Sequence, residues 1–213
     1  MITFITVKGE SKRCPRKNHK LLPYVLEQVH QYLDVVVITD SLELQRIAEK
    51  YNVKVFIEDK EIQHSELHSI YNYLVQTKQL NSIKEFVHLP VTQPFRSDNL
   101  IMTVAYADIK DYDFATSYVI IPNRKIFLLN DDNTYQEDSF ERKGSLCVNT
   151  KMIDGSIYKI QTSFLEKIIQ TNNVNHAFWN ESKIKFYENE NDICLDIDTN
   201  KDLKLFLKIK DVI

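Results

Sequence analysis

A chain of 213 residues with 43% hydrophobic residues can bury a full core, and residues 1–213 are read as a single domain. A net charge of −3 with 27% charged residues argues against a general nucleic-acid binder, whose footprint is a broad basic excess. The cysteines, Cys14, Cys147 and Cys194, are odd in number and show no CxxC spacing, which fits neither a disulfide framework nor a zinc ribbon and suggests a reducing compartment. No stretch approaches the length of a membrane span and no leader pattern opens the chain, so a cytoplasmic protein without a membrane or nucleic-acid partner is expected.

The first element is the apolar run 2–7, which reads as a buried strand. It leads into VKGESKRCPRKNHK, residues 7–20, where six of fourteen residues are basic: Lys8, Lys12, Arg13, Arg16, Lys17 and Lys20. Basic runs are ordinarily solvated faces, but Pro15 prevents this one from being a simple helix face, and the rest of the chain is not basic. A loop of this charge at a strand end suits a polyphosphate, and Gly9 within it permits a tight turn or a close backbone approach. Apolar residues at Leu22, Val25, Leu26, Val29 and Leu33 then predict a helix over 21–33. A β-branched run at 35–39 predicts a second strand, and Asp40 with Glu43 resembles a capping box opening a helix through Tyr51. A strand at 53–57, a helix at 67–80 and a strand at 85–89 follow, then a loop over 90–96 and a helix capped by Ser97 that runs to about Lys110.

Strands alternating with helices at this spacing predict an α/β fold with a mainly parallel sheet and helices on both faces. Ligands in such sheets bind beyond the carboxyl ends of the strands, where the basic loop and the 90–96 loop both fall. The second half is less regular. Residues 114–121 read as a strand, 123–154 as a polar, hairpin-like arm, and 156–161 as a return to the sheet. Ser163 with Glu166 suggests a helix start, 184–187 and 193–197 suggest short strands, and a final helix begins at Thr199 with Asp202 at its third position.

Within LDID, residues 195–198, alternation puts Asp196 and Asp198 on one side of an extended segment, with Cα atoms roughly 7 Å apart. Two such carboxylates can hold a divalent ion. Magnesium commonly uses one or two and takes the rest of its shell from water and phosphate oxygens. An ordinary half-buried strand with a polar face would show the same pattern. His64 and His68 could share a helical face, but no third zinc ligand is evident, and solvated or hydrogen-bonded histidines are the better reading. The basic loop is not a P-loop, since no second glycine precedes a Lys-Ser or Lys-Thr pair.

Taken together, SKRCPRKN after the first strand, ITDS from Ile38, LPVTQPFR from Leu89, DGSIY from Asp154 and DIDTNKDL from Asp196 resemble the acylneuraminate cytidylyltransferases, or CMP-sialic acid synthetases. The resemblance spans nearly the whole chain, and SKRxPRKN is its most specific part. It implies a Rossmann-like nucleotidyltransferase sheet and a homodimer with a protruding arm at 123–154. It also implies Mg2+-dependent transfer of CMP from CTP to a sialic-acid-like nonulosonic acid. By the same resemblance Lys8, Lys12 and Lys17 would be catalytic or phosphate contacts, and Gly9, Ser11, Arg13, Asn18 and Ser69 would bind the nucleotide, Asn18 at cytosine. Gln93 would serve the sugar, as would Arg142 or Lys143 from the arm; Arg96 would either orient the sugar or tie down its own loop, two options of equal weight; and Asp196 and Asp198 would serve the metal. The chain departs from the family pattern in having Lys8 for an arginine, Glu10 for a neutral residue, Pro90 for a glutamine and Asp154 for an asparagine. Glu58 stands where the family has a cytosine-side arginine. These departures motivate an alternative, a non-catalytic sugar- or nucleotide-binding relative. A nucleotide-sugar-consuming glycosyltransferase ranks last, because the basic opening loop would be unexplained.

Overall fold

The computed structural model describes residues 1–59, 65–121, 150–190 and 195–210. Strands β1 (Ile2–Val7), β2 (Asp34–Thr39), β3 (Lys54–Ile57), β4 (Glu85–His88), β5 (Phe114–Ile121), β6 (Thr150–Gln161) and β7 (Ile184–Glu188) form one sheet in the order β3-β2-β1-β4-β6-β5-β7. Only β6 runs against its neighbours, pairing antiparallel with both β4 and β5, so the sheet is mainly parallel as expected. This is a Rossmann-like sheet. The strand order reverses direction at β1, which lies between β2 and β4, and such a switch point opens a crevice at the strand ends.

The continuous apolar runs of β1 and β2 arise because both faces of the sheet are covered. Ile5, Val35 and Val37 face one core, with Leu22 and Leu26 of α1 (Lys17–Val29), Leu44 of α2 (Leu42–Glu49), Ile101 of α4 (Asp98–Ala105) and Phe206 of α7 (Asn200–Ile209). Phe4, Val36 and Ile38 face the other, with Ile70 and Leu74 of α3 (Glu66–Gln76), Leu165 of α5 (Thr162–Ile169) and Phe178 of α6 (Val174–Asn180).

Several elements differ from the sequence reading in ways that matter for the site. Helix α1 begins at Lys17, not at residue 21, because Arg16 turns the chain with φ 61 and brings Lys17 and Asn18 into the first turn. The cap of α2 is Ser41, whose side chain accepts from Leu44 N–H, so Asp40 is released for another partner. Of the expected arm, 123–149 lie outside the described residues, Arg142 and Cys147 among them. Residues 150–154 are not arm but the opening of β6, paired with β5. Asp154-Gly155 falls in a bulge: the β5 register shifts between Thr116 and Tyr118, and Gly155 takes φ 66. Residues 195–198 follow an irregular path rather than a strand, anchored where Ile197 N–H donates to Thr92 O at 2.9 Å. Helix α5 starts two residues earlier than Ser163 would cap it, with Gln161 at its N-cap, whereas the Thr199–Asp202 capping box of α7 is present in full. The short helix α6 was not anticipated.

Candidate active site

The carboxyl ends of β1, β2, β3 and β4 enclose a pocket of about 460 Å³, within the size range of small-ligand sites. Its walls follow the strand order. Glu58 and Asp59 leave β3, Thr39 and Asp40 leave β2, Lys8 to Lys12 leave β1, and Val91 and Thr92 follow β4. Lys17 and Asn18 enter from the first turn of α1, and Glu66 and Ser69 from the first turn of α3. Of the sequence-predicted residues, Lys8, Gly9, Ser11, Lys12, Lys17, Asn18 and Ser69 all line this pocket.

The basic loop is held by hydrogen bonds to its backbone as well as by its own charges. Gly9 N–H donates to Asp40 Oδ1 at 2.6 Å, Ser11 Oγ accepts from Cys14 N–H at 3.2 Å, and Asn18 Nδ2 donates to Lys8 O at 2.6 Å. Cys14 is a buried free thiol under the loop. Helix α1 has no side-chain cap and no acid in its first turn, and it starts instead with a lysine. That arrangement opposes the helix dipole, so an anion near the start of α1 would be favoured, although Lys17 N–H itself donates to Cys14 O at 3.2 Å.

Lys17 is only 7% exposed; its Nζ donates to Ile197 O at 2.6 Å and lies 3.2 Å from Asp198 Oδ1. Arg13 grips both oxygens of Asp198, with Nη1 to Oδ2 and Nη2 to Oδ1 each at 3.0 Å. The predicted nucleotide contact Arg13 is therefore committed to Asp198 and is absent from the pocket wall. Asp196 and Asp198 adjoin the pocket rather than line it, Asp196 through Thr92 and Asp198 through Lys17. Burial, and then the charge of Asp198, push the Asp196 carboxyl above its ordinary range, while the Thr92 hydroxyl and the Lys17 charge oppose that shift. Two mutually repelling carboxylates at the edge of a phosphate-sized pocket suit a divalent cation. Among the described residues no cluster of three or more His, Cys, Asp and Glu side chains is arranged for a metal, and His68 bonds Ser65 Oγ through Nδ1 at 2.8 Å.

Sequence reasoning missed the acidic side of the pocket. Glu66 faces Thr6 and lies 3.7 Å from His88 Nε2, and Thr6 Oγ1 is 3.1 Å from the same nitrogen. Burial raises the Glu66 carboxyl to about 7, against the lowering effect of Lys8. About half of its side chain is exposed, and it lines the pocket. His88 is buried and stacked on Tyr158, and burial followed by the Arg96 charge lowers it to about 3, so it is neutral. Glu58 Oε2 accepts from Ser69 Oγ at 2.7 Å. Glu58 was legible only as a departure from the resembled family's pattern, and Glu66, an acid in the first turn of α3, carries no periodic or motif signal that sets it apart.

Two predicted sugar contacts stand elsewhere. Arg96 is 3% exposed, off the pocket wall, and donates from Nη1 to Ser156 O and from Nη2 to Pro90 O at 2.8 Å. It ties the β4 loop to β6 and offers no accessible guanidinium. Gln93 also lies off the wall, its N–H directed at Pro90 O at 3.4 Å. Behind Arg96, Asp154 is buried and accepts from Ser117 Oγ, Ser156 N–H, Ser156 Oγ and Asn189 Nδ2.

No family profile matches the sequence, and no curated protein does. Solved structures do resemble it. One is a CMP:2-keto-3-deoxy-manno-octonic acid synthetase complexed with CTP, at TM-score 0.70 and 13% identity over 100% of this chain and 99% of that one. A cytidylyltransferase from Leptospira borgpetersenii matches at TM-score 0.64 and 16% identity, over 100% of this chain and 87% of the other. The 4-diphosphocytidyl-2C-methyl-D-erythritol synthase of Anaerococcus prevotii matches at TM-score 0.60 and 14% identity, over 98% of each chain. The chain thus has, over nearly its whole length, the fold these cytidylyltransferases share.

Proposed function

We propose that this protein is a cytidylyltransferase that moves CMP from CTP to a sialic-acid-like nonulosonic acid and releases pyrophosphate. The observation that carries the reading is the pocket at the switch point, where the Lys8–Lys12 loop and the uncapped, lysine-bearing start of α1 converge. A crevice with these donors suits a triphosphate. The shared fold of three cytidylyltransferases, one of them complexed with CTP, points to the nucleotide. A sugar acid as acceptor is supported by the substrate named for the first of these neighbours and by the DGSIY and DIDTNKDL motifs. The motif resemblance also supports a homodimer.

In the proposed reaction the anomeric hydroxyl of the sugar acid attacks the α-phosphorus of CTP. The new O–P bond forms as the bond to the β-phosphate breaks, pyrophosphate departs, and the hydroxyl proton is lost to the medium. Lys8, Lys12 and Lys17 neutralise charge on the phosphoryl oxygens, and Gly9 and Ser11 shape the loop around them. Asp196 and Asp198 would hold Mg2+, which supplies further charge neutralisation at the phosphates. Lys17 fixes Asp198 from the side of the helix.

One observation favours the second reading, a non-catalytic binder: both Asp198 oxygens are taken by Arg13. Incubation with each nucleoside triphosphate, Mg2+ and a panel of 3-deoxy keto sugar acids separates the two. Release of pyrophosphate that depends on CTP and acceptor is the expected result; thermal stabilisation by ligand with no release would favour the binder.

A further inference from the structure

Among the residues that line the pocket, two carry a buried side-chain polar atom with no hydrogen-bond partner among the described residues, Glu58 Oε1 and Asn18 Oδ1. Both are oxygens, so what this wall lacks is a donor. The Asn18 amide cannot exchange its ends freely, because Nδ2 already donates to Lys8 O at 2.6 Å. The Glu58 carboxylate is equally fixed. Its backbone N–H donates to Thr39 O at 2.9 Å, and its other oxygen accepts from Ser69 Oγ at 2.7 Å, with Ser69 buried. A buried acceptor left unmet is unfavourable, and a ligand that brings an N–H to it is favoured over one that brings a lone pair.

The position of Glu58 along the crevice fits a nucleobase contact. Glu58 follows β3, the basic loop follows β1, and Asp196 adjoins Thr92 after β4. Those four strands span about 14 Å. Phosphates at the basic loop, with the acid pair on the β4 side, leave the β3 side for the base.

We infer that Glu58 is the base-reading residue of this pocket, accepting the exocyclic amino group of cytosine through Oε1 and turning uracil away. Cytosine presents an N4 amino donor where uracil presents the O4 acceptor, so a carboxylate held there attracts one and repels the other. The inference rests on the nucleotidyl-transfer reading above and deepens it. Where the resembled family has an arginine, this chain reverses the hydrogen-bond polarity of the wall, so Glu58 becomes a device of specificity rather than a lesion.

The test is the affinity of CTP, UTP and ATP, each with Mg2+, by calorimetry for the intact protein and for Glu58→Gln and Glu58→Ala. Circular dichroism checks that each variant is folded; the near-isosteric Gln variant serves if the Ala variant is not. The expected result is that wild type prefers CTP to UTP by about a hundredfold. Glu58→Ala should lose about ten- to a hundredfold in CTP affinity, and Glu58→Gln, whose amide can rotate to donate to O4, should narrow the CTP:UTP ratio at least tenfold. A CTP:UTP ratio unchanged in both variants, or a wild-type preference for UTP or ATP, overturns the role of Glu58 while leaving nucleotidyl transfer standing. Failure of the wild type to bind any nucleotide overturns both.

Discussion

Asp40 Oδ1 accepts the backbone N–H of Gly9 at 2.6 Å, a bond that fastens the end of β2 to the loop leaving β1. The loop carries the pocket lysines, so an acid thirty-one positions away helps to set their path, together with the ion pairs that Arg13 and Lys17 make with Asp198.

The first prediction concerns that contact. A Cβ on Gly9 would lie 2.7 Å from Ser41 Cβ and 3.3 Å from Asp40 Oδ1, so the loop or the strand end must shift. Gly9→Ala is expected to cost about 1–3 kcal/mol of stability and to weaken CTP binding at least tenfold, read by thermal melting and calorimetry. Undiminished affinity would show that the loop path does not matter.

Asp198→Asn should lower turnover by a few hundredfold, the effect of removing a group that stabilises transition-state charge. Its fold should survive, since Lys17 keeps its bond to Ile197 O. Steady-state pyrophosphate release with unchanged circular dichroism is the expected pair of readings, and full turnover would remove Asp198 from the machinery.

Asp154 accepts four hydrogen bonds from Ser117, Ser156 and Asn189 in the bulge of β6. Asp154→Ala strands those donors and deprives buried Arg96 of a nearby charge. A loss of about 3 kcal/mol or more is expected, a fall in Tm on the order of 10 °C, measured by calorimetric melting.

The pH dependence of stability should show two opposing slopes. His88 is lowered from 6.5 to about 3, so the unfolded chain binds its proton first, and stability is lost as pH falls from 6.5 toward 3. Glu66 is raised from 4.5 to about 7, so the folded chain holds the extra proton, and stability is lost as pH rises from 4.5 to 7. Glu66→Gln should therefore leave a steeper acid-side slope and a flatter curve between pH 6.5 and 7.5. Denaturant midpoints across pH 4 to 8 check this, and a profile identical to wild type would contradict it.

What the residues announced on their own was whatever depends on short-range pattern. Continuous β-branched runs such as 35–39 mark strands covered on both faces, the Thr199–Asp202 box starts α7, and the concentration of charge in residues 8–20 is visible wherever the loop goes. The motif blocks carried the resemblance even though no neighbour exceeds 16% identity among those described.

Only the tertiary structure decided which charge meets which. Asp40 reads as a helix cap until Ser41 takes that place; Arg13 shows its partner Asp198, and Arg96, legible equally as a sugar contact or a loop tie, is seen to tie its loop through the carbonyls of Pro90 and Ser156. Glu66 gains meaning only where strand ends converge, and Glu58 only there gains its partner, Ser69. The reason is the same in each case: a carboxylate or guanidinium is defined by its partner, and here the partner usually comes from a different element of the fold.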